Sequence, residues 1–374
     1  RDFCLSRGLG DVYKRQSICN ILSELNYEIV YIGGCSDMNT EKVLMERNHV
    51  RFYKTPLYGG NGMQRIIQQW KYRRYVLEML KNEYVKETTY LWLLHSETVS
   101  LFSAYLDKYD VISHLFEFKN PTQKIAYRLL NPCYPFEKNL KKSKKVICCE
   151  YNRAHITKSI YDLDKVPYIL PNKPYNGNVQ IAQSLPFSIQ EIISKYRNKK
   201  IILYQGVFIP ERRVDYFVRA VNSLPDDYIL FLMGGENPFY NELRDKCQSE
   251  RIVFLPFLPP PLHLEITKLA HIGILVYVVD GEPINRAINV LYCAPNKLYE
   301  YSMFGIPMIS NNLPALNFIF SKFEAGICTD ILLEKNVCEA ILEIDRNYES
   351  YSKASVQLYN SVDMLDIVKG ILRE

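Results

Sequence analysis

Lys297 and Glu300 stand three residues apart in the stretch APNKLYEYSMFGIP. Pro295-Asn296 opens a helix there and Gly305 closes it, so both side chains share one face near the helix N-terminus. A cation beside free N–H groups holds phosphate oxygens, and a carboxylate one turn on accepts a bidentate pair from ribose hydroxyls. An exposed ion pair is the other reading of this spacing. A second constellation lies upstream, where an apolar strand, IILYQG, ends at Gly206 and a helix opens around Glu211-Arg212-Arg213. Gly206 lets backbone approach a ligand, and Arg212 at a positive helix N-terminus suits a diphosphate. The plainer reading is a turn glycine and a solvated arginine. His95 and His114 end the short apolar runs YLWLL and DVIS, and ligands of open α/β sheets sit beyond the carboxyl ends of strands. Either histidine is equally at home as a satisfied structural residue.

The elements that must position these groups alternate. From residue 17 a helical stripe (Ile18, Ile21, Leu22, Leu25) leads into a strand at 27–32. Residues 63–81 form a basic, aromatic helix whose stripe is Met63, Ile66, Trp70, Leu77 and Leu80, interrupted by Arg73. Two readings of it stand: a core-facing stripe with solvated flanks, or a face lying on an anionic membrane. Another strand, VICC at 146–149, follows Lys138, Lys141, Lys142, Lys144 and Lys145, a cluster that reads as a solvated helix end or as membrane contact. The segment PNKPYNGNVQ is the strongest linker signal. Beyond it come strands at 200–205, 228–233, 252–255 and 272–279 and helices at 214–224, 237–250 and 263–270. Val214, Phe217, Val218 and Val221 form the buried face of the first of these helices. The last helix, about 356–372, carries Leu358, Val362, Leu365, Val368 and Leu372 on one side.

A length of 374 residues fits two domains, and 48% hydrophobic with 23% charged residues describes a globular chain. No repeat of solenoid length appears. The net charge of +5 is uneven. Residues 1–170 hold 26 Lys+Arg against 18 Asp+Glu, a net of +8, and residues 171–374 hold 20 against 23, a net of −3. The basic half suits an anionic partner or is a solvated face. The ten cysteines are scattered, with no CxxC pair and no His at metal-ligand spacing, as free thiols of a reducing cytosol would be. No apolar run approaches the roughly 20 residues of a spanning helix, and no secretory signal is visible. Residues 1–16 carry neither helix nor strand periodicity, and RGLGDVYKRQ resembles the spurious tails of fragmentary translated sequences. They are expected to lie outside the fold, with the first strand and its Gly-rich loop truncated; Gly8-Leu9-Gly10 is too short a motif to stand for that loop.

Together, APNKLYEYSMFGIPMISNNLPAL, YQG…ERRVD, LFLMGG, IVFLPFLP and EYNRAHITKSIYDL…PYILPNKP resemble the GT-B glycosyltransferases of the retaining family 4 type, from about residue 17 to the C-terminus. The resemblance implies two Rossmann-like domains facing across a cleft. It assigns an acceptor domain to 1–173, a donor domain to 174–355 and a helix at 356–374 that crosses back to the first. It matches Arg212 and Lys297 to the cations on the donor diphosphate and Glu300 to the ribose carboxylate. Gly206 and Gly234-Gly235 match turns close to the nucleotide, Phe257 the place where the base edge is read, and Asn289, Tyr292 and Asn296 the loop near the sugar and phosphates. His114 matches the first-domain histidine near the donor sugar, with His114-x-x-Glu117 in place of the commoner His-Asp.

The sequence departs from the family where Tyr292 stands eight residues before Glu300, in place of a second glutamate. Asn289, Glu282 or backbone amides are then left for the sugar. Val207 replaces the usual basic residue, leaving Arg212 or Arg213 to act with Lys297. The implied reaction is retaining transfer of a hexosyl group from a nucleoside diphosphate sugar to a glycan or glycolipid hydroxyl, in surface polysaccharide biosynthesis. It needs no metal or other cofactor, since no DxD-like pair flanks a phosphate site. The expected setting is the cytoplasm, with peripheral contact at the inner membrane face and no nucleic-acid partner. A sugar-nucleotide epimerase, or a basic binding protein for membrane or nucleic acid, remains open at this point.

Overall fold

The computed structural model describes residues 9–33, 50–55, 62–120, 125, 129, 136–175, 184–247, 249–279, 284–330 and 333–373. The chain divides into two compact units. The first is Arg1–Pro171 with Tyr175–Gly177 and Met364–Glu374; the second is Asn172–Pro174 with Asn178–Asp363.

In the first unit β1 (Ile29–Gly33) and β2 (Val50–Lys54) pair in parallel, and a second parallel sheet runs β3 (Leu91–Leu94), β4 (Val111–Leu115), β5 (Lys145–Cys148), β6 (Tyr168–Ile169). All five residues of β4 are buried, as suits an inner strand covered on both faces. The helix Leu9–Glu24 packs on β1 and on the final helix, Met364–Arg373.

The second unit is one six-stranded parallel sheet of β7 (Lys200–Gln205), β8 (Tyr228–Met233), β9 (Ile252–Leu255), β10 (Ile272–Leu275), β11 (Met308–Asn311) and β12 (Gly326–Thr329). Its order is β12-β11-β10-β7-β8-β9. Counted from β7 this is the doubly wound 3-2-1-4-5-6 arrangement, whose chain reverses direction across the sheet between β7 and β10. Helices cover both faces because strands such as YILFLM are apolar at every position. The helix Val214–Ser223 buries Val214, Phe217, Val218, Ala220 and Val221.

Several elements differ from the sequence reading. Residues 9–16 are the first half of the Leu9–Glu24 helix rather than a tail outside the fold. The packed half, Ser17–Ile21, carries the hydrogen-bonded ladder backward, and Lys14 lies over the Phe116 ring at 4.6 Å, a contact that apolar periodicity does not register. Gly10 is therefore helical, while Gly8 lies outside the described residues, as do Cys4, Cys35 and Cys133. The long helix, Gly62–Glu83, buries Gln69, Val76 and Leu80, whereas Met63 and Trp70 face outward. Lys145 is no solvated helix end: it is buried on β5 and its ammonium donates to the Ile371 carbonyl of the last helix.

The run 272–279 leaves the ladder after Leu275 because the Asn311 side chain takes over, accepting from Tyr277 N–H at 3.0 Å and donating to its carbonyl at 2.8 Å. The apolar stripe from 356 onward is shared by two helices, Tyr348–Asn360 and Met364–Arg373. The first ends where the Lys173 ammonium caps the carbonyls of Tyr359 and Val362, both at 2.7 Å.

At the amino ends of the strands the Asp345 carboxylate accepts from Lys200 at 2.9 Å and pairs with His271 at 2.7 Å, while His271 stacks on Tyr348. Burial works to raise the Asp345 carboxyl, but its bonds to Lys200, His271 and Tyr228 outweigh burial and lower it. This contribution is complete above about pH 4 and fades as pH falls through the lowered pKa. Asp345→Ala is expected to cost about 1–3 kcal/mol, seen as a lower Tm near neutral pH, and the gap from wild type should narrow on acidification.

Candidate functional site

The reversal of strand order between β7 and β10 opens a crevice at the carboxyl ends of these strands, and three segments of the second unit converge there. The first follows β7. Gly206 has φ 143°, and a Cβ on it would lie 3.1 Å from the Lys297 ammonium, so a side chain would crowd the cation. Gly234, after β8, sits so close that a Cβ would meet the Gly206 carbonyl at 2.1 Å. The loop between them is fixed by Asn237, which donates to the Phe208 carbonyl at 2.8 Å, and by the Tyr204 hydroxyl, which donates to Val207 at 2.5 Å.

The second segment is the 3-10 turn Pro210–Arg212. It places Arg212 ahead of the Val214–Ser223 helix rather than on its first turn, because Arg213 intervenes in the left-handed region at φ 44°. Arg213 is turned away, with Asp215 at 3.4 Å and the Tyr216 ring beneath it, which leaves Arg212 as the cation of the pair to face Tyr277. The turn is braced by Glu211, whose carbonyl accepts from Val278 N–H at 2.9 Å and whose carboxylate pairs with Arg286 at 3.0 Å.

The third is the helix Asn296–Met303. Its second residue, Lys297, lies 4.7 Å from the Tyr204 ring and 5.4 Å from the Tyr277 ring, and Arg212 covers that same Tyr277 ring at 4.3 Å. Two cations thus share one aromatic wall. Desolvation, then the charge of Arg212, lowers the Lys297 ammonium to about 7. An anion with two or more oxygens suits such a pair, and the helix N-terminus adds its positive dipole end.

Glu300 is buried one turn further on, and it is not an exposed partner of Lys297. Gln205 Nε2 donates to one carboxylate oxygen at 2.6 Å and His263 Nε2 lies 3.5 Å from the other. Thr267 Oγ donates to Gln205 Oε1 at 2.7 Å and to the His263 carbonyl at 3.1 Å. Gln205, Thr267, His263, Tyr204 and Tyr277 were not among the site residues expected from sequence. The one signal for them was a polar glutamine closing an otherwise apolar strand.

Of the remaining expected residues, Gly235 is exposed beside Gly234, and Phe257 is exposed in the loop after β9. Asn289 lies on the helix Ile284–Leu291, Tyr292 just after it, and Asn296 begins the Lys297 helix. Asn172 donates to the Ala294 carbonyl at 2.6 Å, fixing the entry to that helix. Glu282 lies outside the described residues. Among the described residues no three His, Cys, Asp or Glu side chains gather as a metal site requires.

In the first unit His114 is buried on β4, 3.8 Å from the Cys149 sulfur and edge-on to Phe116, with its Nδ1 unpartnered. Burial, reinforced by the charge of Lys14, holds its pKa well below the usual histidine range, so the ring is neutral. His95, at the end of β3, occupies φ 77°, ψ 141°, a conformation side chains rarely adopt, and its ring also packs on Phe116. Its Nδ1 lies 3.5 Å from Glu97. Burial pushes the Glu97 carboxyl up, but the His95 bond and the charge of Lys119 prevail and hold it at about 2.

No protein-family model matches the sequence, and neither does any curated protein. Solved structures do. Over 96% of this chain and 95% of the other, the structure matches HepE (Alr3699) of Anabaena bound to UDP and glucose, with a TM-score of 0.68 at 11% identity. The chain has the GT-B fold. WaaG, described as a glycosyltransferase involved in lipopolysaccharide biosynthesis, matches over 96% and 94% with a TM-score of 0.60 at 12% identity. Sucrose-phosphate synthase of Thermosynechococcus elongatus matches over 96% and 90%, with a TM-score of 0.66 at 12% identity. In GT-B terms each unit is a Rossmann-like domain, and the paired cations belong to the second.

The Lys297 value sets the pH dependence of anion binding at this site. Above about pH 7 the free ammonium loses its proton, so pyrophosphate affinity should fall as pH rises. In Lys297→Arg, whose guanidinium stays charged, that part of the fall should vanish. Calorimetric titration of both proteins across this range checks the assignment, and equal slopes would place the titration elsewhere.

Proposed function

We propose that this protein is a glycosyltransferase that moves a hexosyl group from a nucleoside diphosphate sugar to a hydroxyl of a glycan or glycolipid acceptor. The observation that carries the reading is the convergence of Arg212 and Lys297 on the Tyr277 ring beside Gly206, at the switch point of the second unit. Breaking the bond from sugar to diphosphate builds negative charge on the leaving group. Two cations and a helix N-terminus held in place beforehand stabilise that charge without reorganising. This is electrostatic assistance to departure, and it requires neither a metal ion nor an acid.

In this reading Glu300, steadied by Gln205 and His263, takes the ribose hydroxyls, Phe257 lies by the base, and Asn289, Tyr292 and Asn296 approach the sugar and phosphates. The first unit takes the acceptor, and His114 keeps the place near the donor sugar that the family 4 resemblance gives it. Retention at the anomeric carbon follows the family 4 resemblance, as does a role in surface polysaccharide biosynthesis at the cytoplasmic face of the membrane. HepE was solved with UDP and with UDP-glucose, which makes a UDP-hexose the first donor to try. No helix among the described residues is long and apolar enough to cross a membrane.

Lys297→Ala should lower transfer from a UDP-hexose to a glycolipid acceptor by about 10²–10³-fold while leaving the circular dichroism spectrum unchanged. Near-normal transfer by this variant would refute the assignment. Release of an altered sugar nucleotide in the absence of any acceptor would identify an epimerase instead. Gln205→Leu separates the ribose from the phosphates. It leaves the Glu300 carboxylate without its closest donor and should weaken UDP binding by about tenfold or more while pyrophosphate binding changes little.

A further inference from the structure

The Gly62–Glu83 helix has two apolar faces, and among the described residues one is buried while the other is exposed. Gln69, Val76 and Leu80 are buried. Met63, Ile67 and Trp70 follow one another at i, i+4 and i+7 on a different face and are 73%, 49% and 52% exposed. The same line continues into Arg74 and Lys81, both exposed, with exposed Lys71 beside it. Glu78 is the acidic residue of that face. The helix's other carboxylate, Glu83, is engaged by Tyr53 at 2.6 Å and Arg51 at 3.0 Å.

Rings and cations then alternate away from the stripe. The Arg73 guanidinium lies 4.1 Å over the Trp70 ring and 5.9 Å from the Tyr105 ring, which Lys108 approaches at 5.2 Å. Exposed apolar side chains on successive turns, an indole held by a guanidinium, and lysines and arginines beside them match the boundary between lipid headgroups and acyl chains. Apolar groups enter, amphipathic rings sit at headgroup level, and long cationic side chains reach back to phosphates. A helix of 22 residues is about 33 Å long and offers this face along its length.

We propose that this face of the Gly62–Glu83 helix docks the protein on a bilayer bearing anionic lipid, with Met63, Ile67 and Trp70 inserted and Lys71, Arg74, Lys81 and Lys108 on the headgroups. The choice of lipid over a protein partner rests on charge. The exposed flank is cationic, so a second copy of the same face would be repelled, whereas an anionic surface attracts it. This gives the membrane contact in the proposed function a definite surface. It does not rest on the donor chemistry, because docking is read without any transfer reaction.

The chain contains 2 tryptophans, so Trp92→Phe leaves Trp70 as the only indole reporter. Full-length protein should float with vesicles of phosphatidylcholine and phosphatidylglycerol but not with phosphatidylcholine alone. The Trp70 emission should shift to the blue and be quenched by brominated acyl chains. Ile67→Asn and the pair Lys71→Glu with Arg74→Glu should each weaken flotation by about tenfold or more. All three positions are exposed, and unchanged melting would confirm that the fold is intact. Absence of vesicle binding, binding equal in wild type and variants, or an unshifted and unquenched Trp70 would each overturn the proposal. So would a dimer in sedimentation that Ile67→Asn dissociates without any vesicle binding by the wild type.

Discussion

Two positive charges are held against one aromatic ring, and much of the second unit's carboxyl edge keeps them there. Arg212 and Lys297 repel each other, so neither would stay beside Tyr277 unless its backbone were fixed independently. Glu211 braces the turn under Arg212, Asn311 replaces the missing strand partner of Tyr277, and Asn172 holds the carbonyl before the Lys297 helix. Gly206 and Gly234 remove the side chains that would otherwise fill the space. The repulsion is a standing preference for an anion, and it is strongest while the crevice is dry.

The Glu300 network belongs to the same design and does a different task. A carboxylate this deeply buried needs a donor of its own, and Gln205 supplies it, with His263 Nε2 3.5 Å from the other oxygen. Thr267 orients Gln205, so the amide's donor end faces Glu300. Lys297 and Glu300 therefore sit about one turn apart on one short helix, the carboxylate held by a donor from another strand rather than by the ammonium.

The parallel strands, the Val214–Ser223 helix and the cluster from Pro295 to Gly305 were legible because they rest on local rules: continuous apolar runs, a 3.6-residue stripe, and proline and glycine at helix ends. What escaped the sequence depends on contacts between distant segments. The Gln205–Glu300 bond spans 95 positions. Lys14, expected outside the fold, is held by Phe116, and Lys145, read as part of a solvated helix end or membrane contact, is held by Ile371. The Gly62–Glu83 helix misled differently. Its apolar residues fall into two stripes about 130° apart, and composition does not say which one meets the core. Tyr277 was read as strand because side-chain amides that replace a ladder leave no mark on hydropathy.

The first unit contains a helix from the far end of the chain, Met364–Arg373, buried through Met364, Val368, Ile371 and Leu372 and tied to Lys145. Synthesis runs from the N-terminus, and a nascent first unit therefore waits for the whole of the second to be made before its last piece arrives. Until then Lys145, the first residue of β5, lacks the Ile371 carbonyl that receives it in the finished fold. The second unit, whose Asn172–Pro174 strap precedes it and whose last helix ends by Asn360, is complete while that helix is still emerging. The order of appearance in the chain and the order of completion in the fold are thus reversed, and the unit assigned to the acceptor is the last to become whole.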